Sequence, residues 1–124
     1  MSGIKYLLDT NTVIGMLNSN PAATGLKKKI KLKPEHTAIS QITKIELLGY
    51  AGITVAEETT IKLFLSKITV ISIDTEIEAQ TIAIRKTRKV KLPDAVIAAT
   101  AIVKGLQLLT FDKTLNQMVA DLKA

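Results

Sequence analysis

The alternation of short apolar runs with segments of helical periodicity is the feature that most constrains the fold of this chain. Four runs, at residues 6–8, 36–40, 70–73 and 106–110, read as strands too short and too apolar for an exposed hairpin. Longer segments of helical character separate them. This order predicts an α/β fold of three layers, α/β/α, with a central parallel sheet of about four short strands.

Turn and helix-ending residues divide the segments between the strands. Helices are expected from near residue 11 to 17, over 22–31, 42–49 and 56–67, from near 76, over 93–105 and over 113–121. In the third of these, Ile42, Ile45 and Gly49 have the spacing of one helix face, which is mostly apolar. Glu46 falls on or beside the same face.

Length and composition limit both the architecture and the chemistry. A chain of 124 residues has room for one domain with one core, so residues 1–124 are expected to form a single domain. Cysteine is absent and His36 is the only histidine, which excludes disulfides, thiolate sites and histidine-rich zinc sites. A metal bound here would need oxygen ligands, a preference of magnesium and manganese.

Targeting signals and net charge give weaker evidence, about the location of the protein and its partners. The first five residues lack the apolar run of a signal peptide, and the apolar stretch 95–103 is too short to cross a bilayer. We therefore expect no membrane association and a cytoplasmic location. Lys and Arg outnumber Asp and Glu by 17 to 11, a net charge of +6. This excess favours a polyanionic partner such as nucleic acid.

Three aspartates occupy positions where α/β proteins build their sites. Asp9 and Asp112 follow the first and fourth strands, and Asp94 lies in the first turn of a helix. Each has an ordinary explanation, since a carboxylate at a helix start caps amide groups or interacts favourably with the helix dipole. Ligands of parallel sheets nevertheless bind beyond the carboxyl ends of the strands. We therefore expect these acids to lie together.

Glu46 extends this set to four acids. A carboxylate on a mostly apolar helix face should be paired with a lysine or bound to a metal. Converging carboxylates repel each other unless a cation neutralises them, and a divalent ion also activates water for attack on a phosphodiester. Polar residues near these acids are expected to orient ligands or waters, namely Thr10, Asn11, Ser40, Thr43 and Thr110.

The sequence resembles the PIN-domain ribonucleases and, within them, the VapC-like toxins of bacteria and archaea. The resemblance rests on four segments in the family's order, which span nearly the whole chain: LLDTN at 7–11, ISQITKIELLG at 39–49, LPDAVIAATA at 92–101 and LLTFD at 108–112. The third segment is the most specific of them.

The resemblance implies a function and a set of site residues. Asp9, Glu46, Asp94 and Asp112 would bind Mg²⁺ or Mn²⁺ and act as catalytic acids in an endoribonuclease that cuts RNA with a metal-activated water. The protein would be the toxin of a toxin–antitoxin pair, a homodimer silenced by a small antitoxin protein.

Two departures from the family pattern are visible. The family often has a further acid soon after the position of Asp112, where this chain has Thr114 and Leu115, so Asp112 is the only candidate for the fourth acid. The family also usually ends with an edge strand after its last helix. We therefore expect that final edge strand to be missing from this chain.

Two basic clusters have different interpretations. The first, at 27–33, is explained by a solvated helix face. The second lies directly before Asp94 and would place RNA phosphates beside the metal; it consists of Arg85, Lys86, Arg88, Lys89 and Lys91.

Two rival functions remain from the sequence. The segment at 9–13 is loosely similar to the nucleophile loop of haloacid-dehalogenase-type phosphatases, but Asn11 stands where that loop needs a second aspartate. The stronger alternative is a non-catalytic PIN-fold module that binds RNA or protein. Nucleotide-cofactor chemistry is disfavoured because the chain has no glycine-rich phosphate loop.

Overall fold

The computed structural model describes residues 3–124 and confirms the predicted alternation of strands and helices. The elements are β1 Tyr6–Leu8, α1 Thr10–Leu17, α2 Pro21–Lys29, β2 Thr37–Ser40, α3 Gln41–Leu48, α4 Val55–Leu65, β3 Thr69–Ile71, α5 Thr75–Thr87, α6 Leu92–Lys104, β4 Gln107–Leu109 and α7 Lys113–Lys123; one 3₁₀ turn covers Pro34–His36. The last three strands are each shorter than predicted. Residues 1 and 2, part of the segment considered above for a signal peptide, lie outside the described residues.

The four strands form one parallel sheet in the order β3-β2-β1-β4. The chain adds β2 and β3 on one side of β1 and then returns to place β4 on the other side. The strand order therefore reverses between β1 and β4, which is the topological switch point where ligands of such sheets bind. No fifth strand follows α7 within residues 3–124.

Helices cover both faces of the sheet, and neighbouring residues on each strand point to opposite faces. Leu7, Ala38 and Leu108 belong to a core formed with α5, α6 and α7. The next residue on each strand, Leu8, Ile39 and Leu109, belongs to a second core formed with α1, α3 and α4. This alternation confirms the three-layer α/β/α fold.

Helix α6 connects the site to the interior. Its residues from Ala95 to Ala101 are all buried, so the helix passes through the core from its first turn. It ends at Gly105, whose left-handed backbone (φ 65°) suits a residue without Cβ. Because residues 95–101 are fixed by packing, the backbone of the first turn of α6 has a fixed position relative to the sheet.

The apolar face of α3 is only partly buried. Ile42 packs against the core, whereas Ile45 is 54% exposed, and the buried residues of the helix are Thr43 and Leu47. The helix begins directly after Ser40 of β2, with no connecting residues. The apolar spacing at 42, 45 and 49 therefore does not identify the buried residues of this helix.

No helix within residues 3–124 combines the length and the apolar character needed to cross a membrane.

Candidate metal centre

A cavity of about 220 Å³ lies where the carboxyl ends of β1 and β4 meet the first turn of α6. It is at the switch point of the sheet. The four acids predicted from the sequence all line it, although they come from four separate segments of the chain. The lining residues are Asp9, Thr10, Asn11, Glu46, Lys91, Pro93, Asp94, Ile97 and Asp112.

Asp9 is both a helix cap and a member of this cavity. Its Oδ1 accepts a hydrogen bond from the Thr12 amide at 2.9 Å, which caps α1. Its Oδ2 accepts a hydrogen bond from the Thr110 hydroxyl at 2.5 Å. The side chain is buried, with only 5% of the residue exposed. Two hydrogen bonds, one to each carboxylate oxygen, therefore hold the Asp9 side chain in one orientation.

Asp112 has the same relation to α7, but it is less constrained. Its Oδ1 accepts a hydrogen bond from the Leu115 amide at 3.0 Å and so caps the helix. Its own amide donates to the Thr110 hydroxyl at 3.0 Å, so Thr110 contacts both aspartates. The residue is exposed, and its Oδ2 accepts no hydrogen bond from the described residues.

Glu46 is held by hydroxyl groups and not by a lysine. The Thr10 hydroxyl donates to its Oε1 at 2.6 Å, and the Thr43 hydroxyl lies 3.1 Å from the same Thr10 oxygen. Thr10 has a single hydroxyl proton, so Thr43 donates to Thr10 in this chain of bonds. Among residues 3–124 no basic side chain lies within 4 Å of Glu46. The alternative of a salt bridge to lysine is therefore wrong for the part of the chain that the structure describes.

Asp94 lies in the first turn of α6 and is partly buried. Burial is the largest cause that raises the pKa of its carboxyl group above the ordinary value. The negative charges of Asp112, Glu46 and Asp9 raise this pKa further, while Lys91 opposes them. All three other acids of the cavity thus act on Asp94 electrostatically, which shows that the four carboxylates share one environment.

The polar residues predicted to surround the acids have different places. Thr10, Thr43 and Thr110 are in the hydrogen-bonded network just described. Asn11 lines the cavity with an exposed side chain. Ser40 is fully buried and uses its hydroxyl to cap α3 by accepting from the Ile42 amide, so it does not line the cavity.

The four carboxylates have the ligand chemistry that a divalent cation needs, but they are not close enough together to bind one ion as they stand. Carboxylate oxygens are the ligands that Mg²⁺ and Mn²⁺ prefer. However, within residues 3–124 no three His, Cys, Asp or Glu side chains lie close enough to hold one ion together.

The basic segment before Asp94 divides into three parts. Lys91 lines the acid cavity. Arg88 and Lys89 line an adjoining groove that also reaches Asp94 and Asp112. Arg85 and Lys86, on the last turn of α5, line neither.

Lys113 is a cation of that groove which the sequence did not single out. It directly follows Asp112, and this adjacency to a predicted site residue was the only signal for it in the sequence.

Comparison with known proteins agrees with this geometry. The PIN domain model matches residues 6–120, nearly the whole chain. The chain belongs to the PIN-domain family. This confirms the resemblance noted in the sequence. The segments that carried it contain the ends of β1, β2 and β4, all of α3 and the start of α6, and the four acids lie within them.

Solved structures similar to this PIN domain include chains of a toxin–antitoxin complex, of VapBC and of FitAcB. A chain of a toxin–antitoxin complex from Klebsiella pneumoniae is 33% identical, with a TM-score of 0.73 over 86% of this chain and 85% of that chain. A chain of DNA-bound VapBC from Salmonella typhimurium is 31% identical, with a TM-score of 0.67 over 83% of each chain. FitAcB from Neisseria gonorrhoeae is 25% identical, with a TM-score of 0.75 over 94% of this chain and 93% of that chain. The resemblance to VapC-like proteins is thereby confirmed. Curated protein sequences gave no significant match.

Proposed function

We propose that this PIN domain is a divalent-metal-dependent endoribonuclease, the toxin of a toxin–antitoxin pair. The observation that carries the proposal is that Asp9, Glu46, Asp94 and Asp112 line one cavity at the switch point of the sheet. Burial, and then the negative charges of Asp112 and Glu46, raise the pKa of Asp94, so that keeping this carboxyl ionised in the folded protein costs free energy. A cation bound between the four carboxylates would remove this cost.

Each acid has a distinct part in holding Mg²⁺ or Mn²⁺. Asp9 presents a carboxylate that two hydrogen bonds already orient, and Glu46 one that Thr10 orients. The carboxylate of Asp94 and the Oδ2 of Asp112 accept no hydrogen bond from the described residues, so both are free to turn toward an ion. When bound, the ion would neutralise charge on a phosphate and supply an activated water for phosphodiester hydrolysis.

Lys91 and the two basic residues nearest to it in the groove, Arg88 and Lys89, are proposed to bind the RNA. Lys91 lines the acid cavity itself, where its ammonium would lie beside a phosphate that approaches Asp94. Arg88 and Lys89 extend the positive charge into the adjoining groove, whereas Arg85 and Lys86 line neither the cavity nor the groove and are assigned no RNA contact. The net charge of +6 supports a polyanionic substrate. Cutting cellular RNA implies a cytoplasmic location.

The antitoxin and the homodimer belong to the same proposal. The similar structures from K. pneumoniae and S. typhimurium are a toxin–antitoxin complex and DNA-bound VapBC, which supports a small protein partner here. An apolar groove of about 540 Å³ lies next to Glu46 and offers a surface for it. Two apolar side chains of α4, Val55 (82%) and Leu63 (59%), are exposed and line neither the acid cavity nor the adjoining groove, which supports their burial against a second copy. Sedimentation showing only monomer at micromolar concentration would overturn the dimer.

One observation favours a second candidate, a PIN-fold module that binds RNA or protein without cutting it. No three acidic side chains within residues 3–124 are close enough to hold an ion as they stand. In this alternative the acids would remain apart, and a divalent ion would neither stabilise the protein nor support cleavage.

An RNA cleavage assay separates the two candidates. Purified protein is incubated with single-stranded RNA and Mn²⁺, with Asp94→Asn as the inactive variant and Asp74→Asn as its matched control. Asp74 is exposed and lies outside the cavity, and asparagine keeps its cap on α5. We expect cleavage by the wild type and by Asp74→Asn, none by Asp94→Asn, and none in excess chelator. Full activity in chelator would rule out the metal-dependent mechanism.

A further inference from the structure

A groove of about 450 Å³ leads from the acid cavity between residues 88–90 and the first turns of α7. Asp94 and Asp112 line both the cavity and this groove, so the two are continuous. The groove has an apolar floor, made of the partly buried Val90 and the buried Leu115 and Met118.

Three cations line the groove without a protein counter-ion. Arg88, Lys89 and Lys113 are exposed. The ion pairs within 4 Å in residues 3–124 are Lys62–Glu58 and Lys104–Asp74, both outside the groove. These cations are therefore unpaired although three carboxylates line the same groove. One of those, Asp121, accepts a hydrogen bond from Gln117 at 2.8 Å.

We propose that this groove holds the RNA strand on one side of the phosphate that is cut, and that Lys113, Arg88 and Lys89 contact its backbone phosphates. The inference rests on the proposed nuclease function, which puts the cut phosphate in the acid cavity. Continuity with that cavity and the unpaired cations are the two observations that select a nucleic-acid strand as the occupant. The apolar floor would contact the sugars or bases.

The chain offers a matched control for this assignment. Arg85 and Lys86 carry the same two charge types as Arg88 and Lys89, three residues earlier, but they do not line the groove. Replacing either pair with glutamine removes the same charge and keeps a similar aliphatic stem. All four side chains are exposed, so both double variants should fold.

The first measurement is RNA affinity as a function of salt. The probe is a fluorescent single-stranded RNA of random sequence, roughly 12 nucleotides long, with calcium in place of manganese and strand integrity checked on a gel. Each lost phosphate contact should lower the salt slope by about 0.7. We expect R88Q/K89Q to weaken binding about tenfold and lower the slope by about 1.4, and K113Q to lower it by about 0.7. R85Q/K86Q should change the affinity less than about twofold.

The second measurement locates the contact relative to the cut. A neutral methylphosphonate is placed next to the mapped cleavage site, first on one side and then on the other. In the wild type, the neutral linkage on the groove side should slow cleavage about tenfold, since it removes the phosphate that the cations contact. In R88Q/K89Q the same linkage should have almost no further effect, because the two changes remove one interaction.

The outcomes separate this inference from the proposed function. If the wild type cuts RNA but R88Q/K89Q and K113Q bind and cut like R85Q/K86Q, the groove assignment is wrong and the nuclease function stands. If the wild type binds RNA but does not cut it, while R88Q/K89Q and K113Q lose binding, the nuclease function is wrong and the groove remains an RNA site. If the wild type does not bind RNA, both are wrong.

Discussion

The two strand–helix junctions at the switch point have the same kind of helix cap, but the capping side chain is held more tightly at Asp9 than at Asp112. In each, an aspartate follows a strand and accepts a hydrogen bond from the amide three residues later, so that it caps the next helix. Asp9 is buried, and both its oxygens accept hydrogen bonds. Asp112 is exposed, and only one of its oxygens accepts a bond from the described residues.

This difference shows that a helix cap and a metal ligand are not alternative roles. Capping occupies one lone pair of one oxygen, whereas an ionised carboxylate has about four acceptor positions. Asp9 is thus fixed for a ligand role by the bonds that also stabilise the fold, while Asp112 keeps one oxygen free to turn. Thr110 joins the two junctions by bonding to both.

The largest expected effect is on RNA cleavage, and it should be larger for Asp9 than for Asp112. Asp9→Asn keeps the cap, because asparagine and aspartate cap equally well, but it removes a fixed charge beside the reacting centre. We expect RNA cleavage to fall on the order of 10²–10³-fold. Asp112→Asn should cost about tenfold, since its freer carboxylate contributes less. Equal losses in single-turnover rates would remove the functional distinction between the junctions.

The next effect is on stability without metal. Asp9→Ala removes two hydrogen bonds from a buried site, one of which is a cap, and should lower the free energy of unfolding by about 2–3 kcal/mol. Asp112→Ala removes one exposed cap and should cost about 1 kcal/mol. Urea unfolding in chelator measures both values. If Asp112→Ala proved the more destabilising variant, the assigned difference in constraint would be wrong.

Thr110→Val tests the link between the junctions. Valine matches the shape of threonine but cannot donate to Asp9 or accept from Asp112, so we expect a loss of about 1–2 kcal/mol in stability. Cleavage should fall about 10- to 100-fold because Asp9 loses an orienting partner. Thr81→Val is the control, since this buried threonine bonds only within α5, to the Ile77 carbonyl. Its cleavage rate should stay at the wild-type value.

The smallest effect concerns Asp94 and pH. Its pKa is raised in the folded protein, mainly by burial and then by Asp112 and Glu46. The folded state therefore binds more protons than the unfolded state in the range between the two pKa values, and stability falls as pH rises through that range. Asp94→Asn should be more stable than the wild type at neutral pH in chelator, and this advantage should shrink as pH falls toward about 4. If Asp94→Asn were less stable than the wild type at neutral pH, the unfavourable burial and charge repulsion assigned to the Asp94 carboxylate would be wrong.

The convergence of the acids was predictable from the sequence because it depends on local signals and one topological rule. Asp9 and Asp112 follow apolar strands, Pro93 marks the start of α6, and parallel strands end at one edge. The apolar strand pattern likewise predicted the three-layer fold. None of these inferences required the packing of distant side chains.

The errors and omissions arise where tertiary packing decides. The spacing of Ile42, Ile45 and Gly49 indicated one mostly apolar face of α3, yet the buried residues of this helix are Thr43 and Leu47, and Ile45 is exposed. The hydroxyl chain from Thr43 through Thr10 to Glu46 joins residues 36 positions apart and has no signature in the sequence. The groove at Lys113 likewise forms only when residues 88–90 pack beside α7.

The most direct test of the central claim is a crystal structure of the protein soaked in Mn²⁺, with anomalous diffraction measured to locate the ion. The account predicts a manganese peak in the cavity between Asp9, Glu46, Asp94 and Asp112, with at least three of these carboxylates drawn toward it from their present separation. The same experiment on Asp94→Asn should show a weak peak or none. A wild-type crystal with manganese elsewhere, and with this cavity free of the ion at saturating concentration, would contradict the assignment of the four acids as a metal centre.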